Sequence, residues 1–517
     1  MTGQQRRLWR AIAAVVGAGA CLAAVVTPAS AEWKRAESPR FILYSDGSEA
    51  SLREFAQELE SYDRVMRILM NLPIEQDPPR KLPIYLVRNH RGLESVWPSV
   101  PDSIVGFYTT GEEDIFAVAW RQPDNDLVLL HEYGHHFMLQ NFANTAYPAW
   151  FVEGFAEYFA TAQVRTGAVD IGRPNGNSAL WLTEGPSWVP MSDLLSKRFS
   201  EIDRGRETYY PVSWILTHWF MSDPARKRQL DAYLADVNAG ANSVEAMQRA
   251  TGLNPDQLQR TLRSYIAGRA LIRRITYPYP TVPVTVTSMG PSADAMLLLG
   301  QRLKRPVAED QQAALLQQVR TLAGRWPDDD LAQIALARAE LEMGDKALAT
   351  QALTRILDRQ PANVEALQTM AAVLMKEADE DQDVDASERL RAQARAMLGR
   401  AYRADDANFT TFSMLADTRR GQPGYPNDND LETLSLAHIL APQLPGARFN
   451  LAAALIYRGE KDEAAAVLRP LLNDPHNAGI AAAARRMIEA APTEAGSAAI
   501  LDTGSDDTSE DPETPGD

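Results

Sequence analysis

Apolar residues at three- and four-residue steps alternate along this chain with short runs of period two, and the two patterns occupy different regions. Leu52, Phe55, Leu59, Tyr62, Val65 and Leu69 form one face of an amphipathic helix over residues 52–70. Around it lie β-patterned runs: Arg40–Ser45, closed by Asp46-Gly47-Ser48, then Leu82–Val87, Ile104–Thr109 and Asp114–Trp120, the last two separated by Gly111-Glu112-Glu113. Pro83 has no amide to donate, which favours the first position of its strand or a sheet edge. Residues 32–120 are therefore expected to form a small sheet carrying one helix. Residues 121–275 read as almost wholly helical, interrupted at Tyr147-Pro148-Ala149 and by a loop over Gly172–Asn177. Pro278, Pro280 and Pro283 cannot continue a helix and mark 276–291 as an extended linker with room for one edge strand. Across 292–491 Ala- and Leu-rich helices recur. Pro327 to Pro361 is a 34-residue step of helix, Gly344-Asp345 and helix. Pro442 to Pro475 repeats that logic around Gly459, and Glu377–Asp385 reads as an acidic insertion that loosens the repeat.

The ends follow other rules. Arg6, Arg7 and Arg10, the apolar run Ala11–Val26 and the small-x-small site Ala29-Ser30-Ala31 read as a signal peptide over 1–31, cleaved near Ala31. The expected destination is the periplasm or the exterior, with no stable membrane span in the mature form. Cys21, the single cysteine, falls inside that leader, so no disulfide is available and the cores must hold by burial alone. A net charge of −16 argues against nucleic acid as a partner. Part of that charge sits in residues 492–517, where acids mixed with Ser, Thr, Gly and Pro read as a disordered tail.

The chemistry concentrates in His131-Glu132-Tyr133-Gly134-His135-His136. On a helix His131 and His135 project from one face a turn apart and can hold one Zn²⁺ per chain, while Glu132, about 100° further round, reaches a water at the metal without being a ligand. Glu153 follows His135 after 17 intervening residues, on a second helix, and suits a third, carboxylate ligand. Two His and one Glu with an open fourth position is a catalytic donor set. Glu157, one turn on, is expected to orient a ligand histidine, with the alternative that it is itself the third ligand. His136 is expected to point away from the metal, His218 to be a packed helix histidine, and His90 to have no role.

The combination of His131-Glu132-x-x-His135 with Trp150-x-x-Glu153-Gly154-x-Ala156-Glu157-Tyr158 resembles the gluzincin metallopeptidases of the peptidase-MA-like kind over roughly residues 35–270. That resemblance implies an α+β metallopeptidase-like domain, Glu153 as third ligand, Glu132 as general base and a peptide or protein substrate. It implies that the sheet forms the upper lobe of the cleft, whose edge strand, here Gly106–Thr110, can take an extended peptide by strand addition. It also points to Tyr210 in Tyr-x-x-Ser-Trp as the phenol that stabilises an oxyanion, with Tyr209 as rival. The C-terminal region resembles tetratricopeptide repeats, an all-α array that can bind a protein partner on its concave face. Two functions are therefore expected in competition: an exported zinc metallopeptidase, or a non-catalytic scaffold acting through the repeats.

Overall fold

The computed structural model describes residues 32–121, 126–185, 187–268, 272–277, 280–474 and 477–489. The leader at 1–31 and the acidic tail at 492–517 lie outside the described residues.

The first lobe is built from β1 (Lys34–Glu37), β2 (Phe41–Ser45), α1 (Glu49–Leu69), β3 (Leu82–Val87), α2 (His90–Glu94), β4 (Gly106–Thr110) and β5 (Ile115–Trp120). The helical pattern extends three residues further back than expected, because Ser48 caps α1 by accepting the Ser51 amide at 3.1 Å. His90 opens a short helix rather than lying in a loop. Strand Thr285–Ser288, numbered β9 below, returns to this sheet and completes the order β4-β5-β3-β2-β1-β9. β3 is thus central, parallel to both β2 and β5. Pro83 is its second residue and not at an edge. The Leu82 amide turns to β2, donating to Arg40 at 2.9 Å, so the position without a donor faces β5, whose ladder starts only at Ile84.

The second lobe comprises α3 (Leu127–Asn141), α4 (Ala149–Ala160), β6 (Gln163–Arg165), β7 (Ala168–Ile171), α5 (Gly176–Glu184), α6 (Met191–Ser196), α7 (Tyr209–Met221), α8 (Pro224–Asn238), α9 (Ser243–Thr251), α10 (Pro255–Ala267) and β8 (Arg273–Thr276), after which β9 (Thr285–Ser288) rejoins the first. It is not wholly helical: β6, β7 and β8 form a three-stranded antiparallel sheet. Gly167 supplies the positive φ of 72° at the β6–β7 turn. Asp170 then ties the sheet together, accepting from Arg165 at 2.9 Å and from Arg274 at 2.6 Å.

One core joins the sheet, α1 and the helical lobe, with Phe41, Leu43, Phe55 and Ile84 packed in the same cluster as Phe137, Trp150 and Trp214. Through it runs a buried ionic network. Arg40 meets Glu60 at 3.0 Å and Asp63 at 2.8 Å, Arg67 meets Asp63 at 2.7 Å, and the Tyr133 hydroxyl donates to Asp63 at 2.7 Å. Each buried charge has its partner, which is what makes such a network tolerable in a core. Because Tyr133 lies inside the His131–His135 segment, the network fixes the rotation of α3 against α1.

The C-terminal region is an array of successive helices: α11 (Ala293–Arg302), α12 (Glu309–Ala323), α13 (Asp330–Met343), α14 (Lys346–Arg359), α15 (Val364–Glu380), α16 (Val384–Ala404), α17 (Phe409–Asp417), α18 (Asp428–Leu440), α19 (Pro445–Tyr457), α20 (Lys461–Leu468) and α21 (Ala478–Glu489). The two turns expected at Gly344-Asp345 and Gly459 separate α13 from α14 and α19 from α20. Glu377–Asp385 is not a looped insertion. Helices of 17 and 21 residues run through it from either side, so that pair is a longer version of its 14-residue neighbours. Among the described residues no helix is long and apolar enough to cross a membrane.

Candidate metal centre

Two helix crossings assemble the site. α3 meets α4 where Gly134 faces Ala156: a Cβ on Gly134 would lie 3.0 Å from the Ala156 Cα. α4 meets α7 at Gly154, where a Cβ would sit 2.5 Å from the Ser213 carbonyl oxygen and 2.4 Å from the Thr217 hydroxyl. The small residues between the charged ones are therefore what let three helices approach closely enough for their side chains to converge. Gly154→Ala should force α4 from α7 at a cost of about 1–3 kcal/mol, read as a lowered thermal midpoint. An unchanged midpoint would contradict the close crossing.

His131, His135 and Glu153 come together at this junction, each buried. The two Nε2 atoms are 3.0 Å apart, and Glu153 Oε2 is 3.5 Å from His131 Nε2 and 3.6 Å from His135 Nε2. Tetrahedral zinc with bonds of roughly 2.0–2.1 Å spaces its ligand atoms about 3.3–3.4 Å apart, so the triangle of donors fits. The charge fits too, because two buried carboxylates here call for positive charge beside them.

Glu157 faces the other side of the same ring, with Oε1 at 3.3 Å from His131 Nδ1. This places Glu153 toward both Nε2 atoms and Glu157 behind His131, the arrangement in which a carboxylate selects the tautomer that leaves Nε2 bare. Asn175, which the sequence reading passed over, supports Glu157 in turn. Its Nδ2 donates to Glu157 Oε2 at 3.3 Å while its Oδ1 caps α5 at the Ser178 amide, 2.6 Å away. The signal was present in Asn175-Gly176 as a helix start, since a capping asparagine keeps an amide free for a second task. Removal of the carboxylate in Glu157→Ala should weaken zinc binding roughly 10–100-fold, measurable by competition with a chromogenic chelator. Unaltered affinity would remove Glu157 from the site.

Burial works against a charge on His131, but Glu153 and Glu157 outweigh it and hold the ring well above its usual range. Without metal, His131 therefore holds its proton to higher pH than an ordinary imidazole does. That proton stabilises the metal-free fold below the unfolded value of about 6.5, and the contribution is lost as pH rises through the raised folded value. Zinc requires the bare nitrogen, so its binding should release a proton and tighten as pH rises. Calorimetric titration in buffers of different ionisation enthalpy reads this directly, and identical heats in all buffers would rule it out.

His136 turns from the cluster toward β4, where its Nδ1 lies 3.0 Å from the Tyr108 hydroxyl, and burial lowers its pKa to about 3. Glu132 shares that face one turn earlier, and its charge is felt at the Tyr108 hydroxyl. His218 is packed on α7 with its Nδ1 at 2.9 Å from the Tyr265 hydroxyl. Tyr209 is fully buried and donates to the Lys197 carbonyl at 3.2 Å, whereas Tyr210 reaches the cleft with its ring 6.4 Å from that of His131.

The cleft, of about 440 Å³, lies between the segment Ser103–Gly106, which leads into β4, and the helices bearing His131, Glu157 and Tyr210. A second cavity of about 640 Å³ shares Leu127, Thr161 and Asn175 with it, so the groove continues past the N-terminus of α3. β4 is the sheet edge, as expected. At Gly106 an added Cβ would meet the Val118 carbonyl oxygen at 3.1 Å, so the missing side chain serves the pairing with β5.

No protein-family model matches the chain, and no curated protein matches it. Among solved structures, a thermophilic tetratricopeptide repeat protein of Thermus thermophilus is similar at 19% identity and a TM-score of 0.33, covering 38% of this chain and 100% of its own.

Proposed function

We propose that the protein is an exported, zinc-dependent hydrolase of peptide bonds. The observation that carries this reading is the buried triangle of His131, His135 and Glu153, spaced as tetrahedral zinc ligands and set beside a cleft. Zinc held there supplies Lewis acidity toward a carbonyl oxygen and toward water. Glu132, on the adjacent face of α3, accepts a proton from the attacking water and returns it to the leaving amine. Tyr210 donates a hydrogen bond from the cleft wall to the developing oxyanion. Glu157, held by Asn175, keeps His131 in the ligating tautomer. The edge strand β4 offers backbone donors and acceptors along which an extended peptide can lie. The cleavage of a peptide library by zinc-loaded protein, lost on chelation and regained on readdition of zinc, tests the reading. No cleavage by protein proven to hold zinc would sink it.

A second reading places the function in protein binding by the helical array, whose successive helix pairs are of the kind that present an extended recognition surface. It predicts a partner retained by pull-down from the native envelope fraction whether or not zinc is bound. The two readings part on whether the activity follows Glu132.

A further inference from the structure

The inner face of the array is already in use. The first helices of successive pairs, α13, α15, α17 and α19, converge on the tip of the β4–β5 hairpin at Glu112, Glu113 and Asp114. Arg338 of α13 forms an ion pair with Glu113, and the Thr410 hydroxyl of α17 donates to the Glu113 carbonyl at 3.4 Å. Lys304, just after α11, meets Asp114 at 2.8 Å, and Arg80 meets the same carboxylate from the sheet side. Glu365 of α15 completes the set, 3.3 Å from Arg338 and 3.7 Å from Lys304. At α19 the Glu112 side chain lies over Gly446, where a Cβ would be 2.9 Å from its Oε1. The array also reaches the C-terminal end of α3. Gln443 donates to Gln140 near the end of α3 at 2.7 Å, and the buried Arg448 donates to the Ala143 carbonyl at 2.5 Å.

We infer that the inner face of the array recognises the chain's own β4–β5 hairpin, and that by gripping Glu112–Asp114 it holds the edge strand β4 in place against the cleft. β4 has a neighbour on one side only, β5, and touches the metal-motif helix through Tyr108. The ion pairs at the hairpin tip supply the third support. The charges are complementary: acids at the tip meet Lys304 and Arg338 on the array. Arg338, Lys304 and Glu113 are positioning residues. The grip stands independently of the hydrolase reading; only its effect on turnover rests on that reading.

Hydrogen exchange of the full, zinc-loaded chain tests the grip, because it reads local opening strand by strand. Arg338→Ala, and separately Lys304→Met, should speed exchange over residues 106–114 by roughly tenfold or more, the scale of one lost part-buried charged contact. Exchange in β3 at 82–87 should stay as in the wild type. Arg338→Lys, which keeps the charge, should retain protection that Arg338→Met, which keeps only the bulk of the stem, loses. If the protein cleaves peptides, the single variants should raise KM with kcat little changed. Unchanged exchange at β4 in both single variants would overturn the inference. So would equal loss of protection across β3 and β4, since the array would then support the whole sheet, and so would equal exchange in Arg338→Lys and Arg338→Met.

Discussion

Alanine at His135 or at Glu153 should leave the mature chain folded and without zinc, where the wild type holds about one ion per chain. Each substitution takes one corner from the triangle of 3.0, 3.5 and 3.6 Å. Losing a ligand must cost more than the roughly 10–100-fold that loss of a supporting partner costs, so neither variant should retain metal through dialysis. The two variants also answer separate questions. Glu153 and Glu157 lie one turn apart on α4, and only Glu153 approaches both Nε2 atoms. If Glu153→Ala kept its zinc while Glu157→Ala lost it, the carboxylates would have exchanged roles. If the wild type took up no zinc under zinc-replete conditions, the hydrolase reading would fall and the array would be the place to look for function. Elemental analysis of the purified proteins, with circular dichroism to establish folding, reads all of these outcomes.

Glu132→Gln should separate binding from chemistry. The amide keeps the size of the side chain and cannot accept a proton, so zinc content should be unchanged and kcat should fall roughly 10²–10⁴-fold, the range for loss of a general base. KM should move little, because the amide keeps the size of the side chain and Glu132 is not among the three ligating residues. A variant that retained wild-type kcat with full zinc would require another proton acceptor. Among the other groups here, Glu157 faces His131 Nδ1 and Tyr210 lines the cleft.

The residues of the candidate site were largely legible in the sequence, because their geometry is local. A helical repeat of 3.6 puts His131 beside His135 whatever the rest of the fold does. The choice between Glu153 and Glu157 was not local: both lie on one face of α4, and only the crossing at Gly134 and Ala156 decides which carboxylate meets which nitrogen. Tyr209 and Tyr210 differ for the same reason, one turned into the core and the other into the cleft. In the fold, amphipathic α1 and the strands β2 to β5 could be read from period alone. The β6–β7 hairpin was lost among helices, although Gly167 marked its turn. β8 lies about a hundred residues away from the strand it pairs with, a relation that no periodicity encodes. Pro83 misled because the rule concerns which side of a strand lacks a donor, and that side can lie inside a sheet if the neighbouring ladder starts one residue later.

The antiparallel pairing of β9 with β1, Lys34 opposite Ser288 and Glu37 opposite Thr285, bears on how the chain is made. The first strand to leave the ribosome waits for one of the last strands of this lobe before its outer edge is covered. Until residue 288 is synthesised, β1 offers a row of unpaired amides and carbonyls to any other strand in reach. A fragment cut at the proline-rich stretch, the natural place to divide the protein, would carry that open edge permanently and should self-associate. One cut after Ser288 would instead present the short strand β9 as its edge, as the whole chain does. The proline-rich stretch, which looks like a joint between two bodies, is in folding terms the seam that closes the first.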